Sequence, residues 1–160
     1  MPTCGFDCGF ALPVVVVSFR LIEVIEEAEI PKRFRDKTLE DLEVHDGNRR
    51  AVELARAYIE DRLDGKGLIF WGRPGTGKTH LATAILIEKL KRGEDGFWCH
   101  APTLFWRIRQ SWDGQTGESE YKLMSKVMRA KHLVLDELGK DKPSEWVQLS
   151  MLRVIDARYN

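Results

Sequence analysis

The sequence predicts an α/β fold: a parallel sheet with helices on both faces. Three observations predict it. The stretch Gly72-Arg73-Pro74-Gly75-Thr76-Gly77-Lys78-Thr79 fits the pattern G-x-x-x-x-G-K-[ST] without a mismatch. It lies between a short apolar run of β character, Leu68-Ile69-Phe70-Trp71, and a stretch in which Leu81, Ala82, Ile85, Leu86, Lys89 and Leu90 recur at helical spacing. Two more strand-like runs, 97–101 and 132–135, alternate with helical segments. Strands separated by helices at this spacing imply crossover connections and parallel pairing.

The glycine loop carries a chemical expectation. Its glycines let backbone N–H groups curl around phosphate oxygens with no Cβ in the way. The N-terminus of the following helix adds donors without intrahelical partners and the positive end of a dipole. Lys78 is expected to reach the β- and γ-phosphates of a nucleotide, and the Thr79 hydroxyl to be one ligand of a magnesium ion that keeps most of its waters.

Size and composition bound the alternatives. The chain has 160 residues, enough for one domain with one core, and a formal net charge of zero. Nothing global points to nucleic acid, so a nucleic-acid partner has to rest on a local patch. The cysteines, Cys4, Cys8 and Cys99, are odd in number and form no framework, which suits a reducing compartment. Cys4 and Cys8 resemble half of a metal knuckle, but no second pair follows, and a structural zinc wants four ligands. No stretch reaches transmembrane length, and no basic residue precedes Arg20, as a signal peptide would require. A cytoplasmic protein with no membrane contact is expected.

The remaining elements follow in order. Residues 1–29 read as a separate N-terminal segment, with a strand-like 14–17 and a short acidic helix over 21–29 that has no evident place in a core. Residues 30–160 read as the nucleotide-binding core. A basic, partly extended stretch, 30–35, is followed by a connecting segment with Leu39, Leu42 and Val44. Ala51, Leu54, Ala55, Tyr58, Ile59 and Leu63 mark one face of an amphipathic helix that ends at Asp64-Gly65. Pro102 suits the first turn of a helix carrying Leu104, Phe105, Ile108 and Trp112 on one side. A helix over 118–129 presents Tyr121, Met124 and Met128 inward.

The run Leu133-Val134-Leu135 ends in Asp136-Glu137. Ligands of parallel sheets sit at the carboxyl ends of strands, which would bring both carboxylates to the edge that holds the glycine loop. Asp136 suits magnesium binding through water. Glu137 suits the general base that deprotonates a water attacking the γ-phosphate, its pKa raised by partial desolvation.

These two motifs and their surroundings resemble the helicase-loader ATPases of bacteria and phages (the replication protein C type), within the AAA+ class of P-loop NTPases, whose relatives include the ATPase helpers of insertion-sequence transposases. Ile30-Pro31-Lys32-Arg33-Phe34-Arg35-Asp36 is similar to the segment before the ATPase core, Gly77-Lys78-Thr79-His80-Leu81-Ala82 to the P-loop with its following residues, and Leu135-Asp136-Glu137-Leu138-Gly139 with Lys142-Pro143-Ser144-Glu145-Trp146 to the Walker B strand and the helix after it. The resemblance covers about 30–160. It implies an AAA+ three-layer fold and an ATPase that uses ATP and Mg²⁺. It implies nucleotide contacts from Gly72, Pro74, Gly75, Thr76, Gly77, Lys78, Thr79 and His80, metal ligation by Thr79 and Asp136, and catalysis by Lys78 and Glu137. It also implies a replicative helicase and single-stranded DNA as partners, and self-association.

Three departures from the pattern matter. Asp136-Glu137 stands where two aspartates are common. Thr38-Leu39-Glu40-Asp41-Leu42 lacks the aromatics usual before the core. The chain stops at Asn160, where such proteins continue into a fourth strand, which lies between the P-loop strand and the Walker B strand, and then to a trans-acting arginine. A core incomplete at the C-terminus is therefore expected, binding nucleotide better than it hydrolyses it, since an arginine finger supplies about 10³ to 10⁵ in rate. The residues themselves offer a modest case for DNA: Arg107, Arg109, Lys122, Lys126, Arg129 and Lys131 lie near Phe105, Trp106 and Trp112, and basic residues with aromatics suit single strands. A transposition helper is the alternative within the family, and a nucleotide-binding adaptor with little hydrolysis the alternative outside it. A small P-loop kinase fits less well, since no arginine-rich lid is evident.

Overall fold

The computed structural model describes residues 20–112, 117, 119–138 and 144–159. The cysteine pair Cys4 and Cys8, the strand-like 14–17, and Gly139 with Lys142-Pro143 lie outside the described residues. Helix α1 covers 20–27 and a single 3-10 turn covers Lys32–Phe34. Helix α2 runs over Arg49–Ile59, α3 over Lys78–Lys91, α4 over Ala101–Trp112, α5 over Glu120–Arg129 and α6 over Glu145–Tyr159. Strands β1, Gly96–His100, and β2, His132–Asp136, pair in parallel, with Gly96 opposite His132 and His100 opposite Asp136.

The pleat of these two strands sorts the core into layers. Successive side chains point to opposite faces. Phe97, Cys99, Leu133 and Leu135 pack with Leu104, Phe105 and Ile108 of α4, Leu123, Met124 and Val127 of α5, and Val154 of α6. Trp98 and Val134 face the other way, onto Leu86, Ile87 and Leu90 of α3 and Ile25, Ala28 and Ile30. The architecture is thus three layers, helices on either side of a parallel sheet, as expected. Ile25, Ala28 and Ile30 are buried, and Ala28 O accepts a 2.8 Å bond from Trp98 N–H along the free edge of β1. The acidic helix expected over 21–29 therefore has a place in the core: its apolar face covers α3 and the sheet edge, a pattern too short to read as amphipathic from the sequence. A third cluster joins α2 to α3 through Val52, Ala55, Ile59, Leu81, Ala84 and Ile85, with Leu39 sealing it.

The run 68–71 adopts no strand. Leu68 and Phe70 turn toward the α2–α3 cluster, whereas Ile69 and Trp71 are each 89 % exposed. The in–out alternation is that of a strand, but among the described residues β1 and β2 make up the whole sheet. A strand is defined by its ladder, and a segment with no neighbour to bond leaves its amides to water.

Local signals set the helix ends. Ser119 caps α5, its hydroxyl accepting the Lys122 N–H at 3.2 Å, and Glu120 in the first turn with Lys126 and Arg129 in the last suit the dipole. Pro102 sits in the first turn of α4, where its missing N–H costs no bond. No helix of the described residues is long and apolar enough to cross a membrane.

Candidate functional site: a nucleotide-binding loop facing an acidic strand end

The glycine loop leads directly into α3. Gly75 and Gly77 adopt left-handed conformations, φ 80° and 82°, and Gly77 is the N-cap of α3 with no side-chain cap bond. The first turn of a helix has N–H groups with no intrahelical acceptor, and Gly77, having no side chain, offers them no cap. Lys78 Nζ folds back on its own loop, donating to Gly72 O at 3.0 Å and Arg73 O at 2.7 Å, with Thr76 Oγ1 at 3.4 Å. Thr76 Oγ1 also donates to Arg73 O at 2.9 Å. The ammonium is therefore held within the loop by two carbonyl oxygens and a hydroxyl.

The acidic strand end meets this loop. Thr79 Oγ1 lies 3.0 and 3.2 Å from the two carboxylate oxygens of Asp136, so the two residues assigned to one metal from sequence are hydrogen-bonded across 57 positions of chain. Register explains it: β2 ends at Asp136, and α3 packs across both strands from the P-loop side. The donor set fits magnesium, a hard cation that takes one or two protein oxygens and otherwise water and phosphate. Among the described residues no group of three or more His, Cys, Asp or Glu is placed to hold a metal ion.

Glu137 departs from ordinary backbone. Its φ is 57°, a left-handed conformation that a residue with a Cβ rarely adopts. Such outliers persist only where neighbours enforce them, and they concentrate at functional sites. Its N–H donates to Asp136 Oδ1 at 3.0 Å, and its Oε2 lies 3.2 Å from His100 Nε2. The tautomer of His100 follows from its other nitrogen. Nδ1 accepts from the Thr103 N–H at 3.3 Å and lies 2.7 Å from Thr103 Oγ1. A ring nitrogen that accepts from an amide carries no hydrogen, so in the neutral ring Nε2 bears it and donates to Glu137. Sequence reasoning missed His100 and Thr103; the signal was a histidine at the C-terminal end of the strand opposite Asp136.

Other assignments land elsewhere. His80 Nε2 bonds to the Thr38 carbonyl at 2.7 Å. Of the six basic residues near α4 and α5, Arg107 and Lys126 pair with Glu29 at 2.9 and 2.8 Å, and Lys131 pairs with Glu94 at 2.5 Å. Trp112 donates to Glu120 at 2.7 Å and stacks edge-on against Trp146, with Arg109 over the same indole. Phe105 is buried, and Trp106 is 59 % exposed. Cys99 is buried in the α4–α5 layer, and burial pushes its thiol up to about 12, an inert state.

Residues 20–160 match the model of the IstB-like ATP-binding protein family. The chain belongs to that family. It is 32 % identical over 115 residues to the replicative helicase loader DnaC of Escherichia coli strain K12, a match covering 71 % of this chain and 46 % of the relative. It is 25 % identical over 143 residues to the replicative helicase loader DnaC of Buchnera aphidicola subsp. Schizaphis graminum, covering 88 % of this chain and 58 % of the relative. The chain thus spans about half the length of the curated relatives it matches. AMPPCP-bound DnaA from Aquifex aeolicus superposes with a TM-score of 0.65 at 23 % identity, over 81 % of this chain and 39 % of that one. This likeness shows the fold alone, that of the AAA+ P-loop NTPases. The family match begins ten residues before the core expected from sequence, at the first residue of α1, which packs on α3.

Proposed function

We propose that this member of the IstB-like ATP-binding family is a magnesium-dependent ATPase that acts on a replicative helicase, as its helicase-loader relatives are named for. The observation that carries the enzymatic part is the Thr79–Asp136 contact at 3.0 Å beside a loop whose lysine, among the described residues, is held by backbone carbonyls and a hydroxyl. The amides of 75–79 and Lys78 hold the β- and γ-phosphates, with Gly72, Pro74 and Thr76 shaping the loop. Thr79 and Asp136 would hold the magnesium ion. When bound, that ion supplies positive charge to the phosphate oxygens. Glu137, oriented by the Nε2–H of His100, takes the proton of the water whose oxygen attacks the γ-phosphorus as the bond to the β–γ bridging oxygen breaks and ADP leaves. These steps need positioning and charge more than covalent chemistry.

Single-stranded DNA and a second copy of the chain are further proposed partners. The DNA reading rests on exposed Trp106 with Lys122 and Arg129, since Arg107, Lys126 and Lys131 already pair with carboxylates. The family description favours a second reading, a transposition helper with the same ATPase site. Binding to helicase or to transposase separates the two.

Phosphate release at saturating Mg-ATP tests the ATPase. Glu137→Gln should lower turnover by about 10²- to 10⁴-fold, the range of a lost general base, with nucleotide affinity kept. Turnover equal to wild type in Glu137→Gln excludes Glu137 as the base, and no turnover above buffer in the wild type, alone or with DNA, excludes an ATPase.

A further inference from the structure

His80 directly follows the P-loop, yet its ring bonds to a segment 42 residues upstream. Nε2 lies 2.7 Å from Thr38 O in a part-buried setting. A carbonyl only accepts, so Nε2 carries the hydrogen. Thr38 is fixed in turn: its N–H and hydroxyl reach Asp41 Oδ2 at 2.8 and 2.9 Å, and the Asp41 N–H returns to Thr38 Oγ1 at 3.3 Å. This closed turn seats two leucines. Leu39 is buried among Leu81, Ala84 and Ile85 of α3, and Leu42 packs beside it. A Cβ built on Gly77 would lie 2.9 Å from Leu42 Cδ1.

That last contact links the segment to the chemistry. Gly77 is the left-handed N-cap through which the loop enters α3. Glycine populates left- and right-handed backbone about equally, so nothing in the residue itself holds the turn that aims the amides. Leu42 Cδ1 packs against the side of Gly77 from which a Cβ would project. We propose that His80 is a positioning residue for nucleotide binding: it locks the clip Thr38–Leu42 against Gly77 and so keeps the phosphate-binding turn in its competent form. His80 then acts on the phosphates only through the clip. Apparent affinity falls in proportion to the fraction of molecules holding the competent turn, so loosening the clip weakens binding and leaves the catalytic groups in place. The inference rests on the reading that the P-loop binds nucleotide.

Calorimetric titration of the full chain with Mg-ATP tests it, using wild type, Lys78→Ala, His80→Ala, His80→Gln, Leu42→Ala and the His80→Ala/Leu42→Ala pair. His80→Ala is expected to weaken binding by about three- to tenfold, the worth of one hydrogen bond. Turnover at saturating ATP should stay within about twofold of wild type, so that KM moves and kcat does not. His80→Gln, whose amide N–H can reach the same carbonyl, should recover most of the affinity. The double variant should be no weaker than its weaker parent, because both changes disable one device. Should His80→Ala fail to fold, Leu42→Ala carries the same comparison. Wild-type affinity in His80→Ala, no rescue by glutamine, or losses that multiply in the double variant overturns the inference. Absence of any Mg-ATP binding that Lys78→Ala abolishes overturns instead the reading of the loop.

Discussion

The carboxylate of Glu137 is held by a relay of ordinary groups. The Thr103 amide and hydroxyl occupy His100 Nδ1, which leaves Nε2–H for Glu137 Oε2 at 3.2 Å. If this relay orients the base, His100→Ala should cut kcat by roughly ten- to a hundredfold, the scale of a misplaced catalytic group, without weakening Mg-ATP binding. Glutamine at position 100, able to donate from a similar position, should restore much of the rate. An equal loss of affinity, or no rescue, would mean that His100 only supports the strand end. At this scale the P-loop and acidic pair were legible because each is a contiguous pattern of residue types. His100 and Thr103 were not, because a hydrogen bond between the ends of two adjacent strands depends on register, and register appears only once Gly96 is set opposite His132.

Between elements, the far end of the P-loop helix is tied down by charge. Lys89 is fully buried near the end of α3, with Nζ 2.5 Å from Asp61 and 3.2 Å from Glu94. Glu94 also pairs with Lys131 and with His132, the first residue of β2, and the other ring nitrogen of His132 meets the Tyr58 hydroxyl of α2 at 3.1 Å. The network thus joins α2, α3 and the start of the strand that ends in Asp136. Hydrogen bonds from Lys131, then His132, draw the Glu94 carboxyl down to about 2 from an ordinary 4.5. A carboxyl depressed on folding adds stability that is complete above the unfolded value and lost as pH falls toward the folded one. Melting temperature should therefore drop between pH 4.5 and 2. Glu94→Gln should be less stable at pH 7 by about 1–3 kcal/mol and show a shallower drop over that acid window. An unchanged slope would show that Glu94 is not a source of the acid sensitivity. The sequence places Lys89 at the helical spacing of the apolar residues but not its ion pairs, because the partners lie 28 positions upstream and 5 downstream.

For the whole molecule, alternation of strand and helix was enough to foretell the layered α/β arrangement, because parallel strands need crossovers and the crossovers cover both faces. Two features resisted. The strand expected at 68–71 keeps the alternation of Leu68 and Phe70 inward but has no ladder, since pairing belongs to the neighbour as much as to the segment. Residues 20–30 join the core through Ile25, Ala28 and Ile30, a contribution hidden among the acidic residues of α1. The layers converge on one edge, where the C-terminal ends of β1 and β2 face the N-terminus of α3. There Thr79 of the P-loop meets Asp136 at 3.0 Å.

Nucleotide binding at that site is the central claim, and thermal unfolding of the full chain with and without Mg-ATP, alongside Lys78→Ala, tests it most directly. A ligand at a hundred times its Kd stabilises the folded state by about 2.7 kcal/mol, which for a chain of this length raises the melting temperature by about 5–10 °C. The wild type should shift by that order with Mg-ATP, and Lys78→Ala should not shift. A wild type that melts cooperatively at the same temperature with and without Mg-ATP, or a Lys78→Ala variant that shifts as much as the wild type, would contradict it.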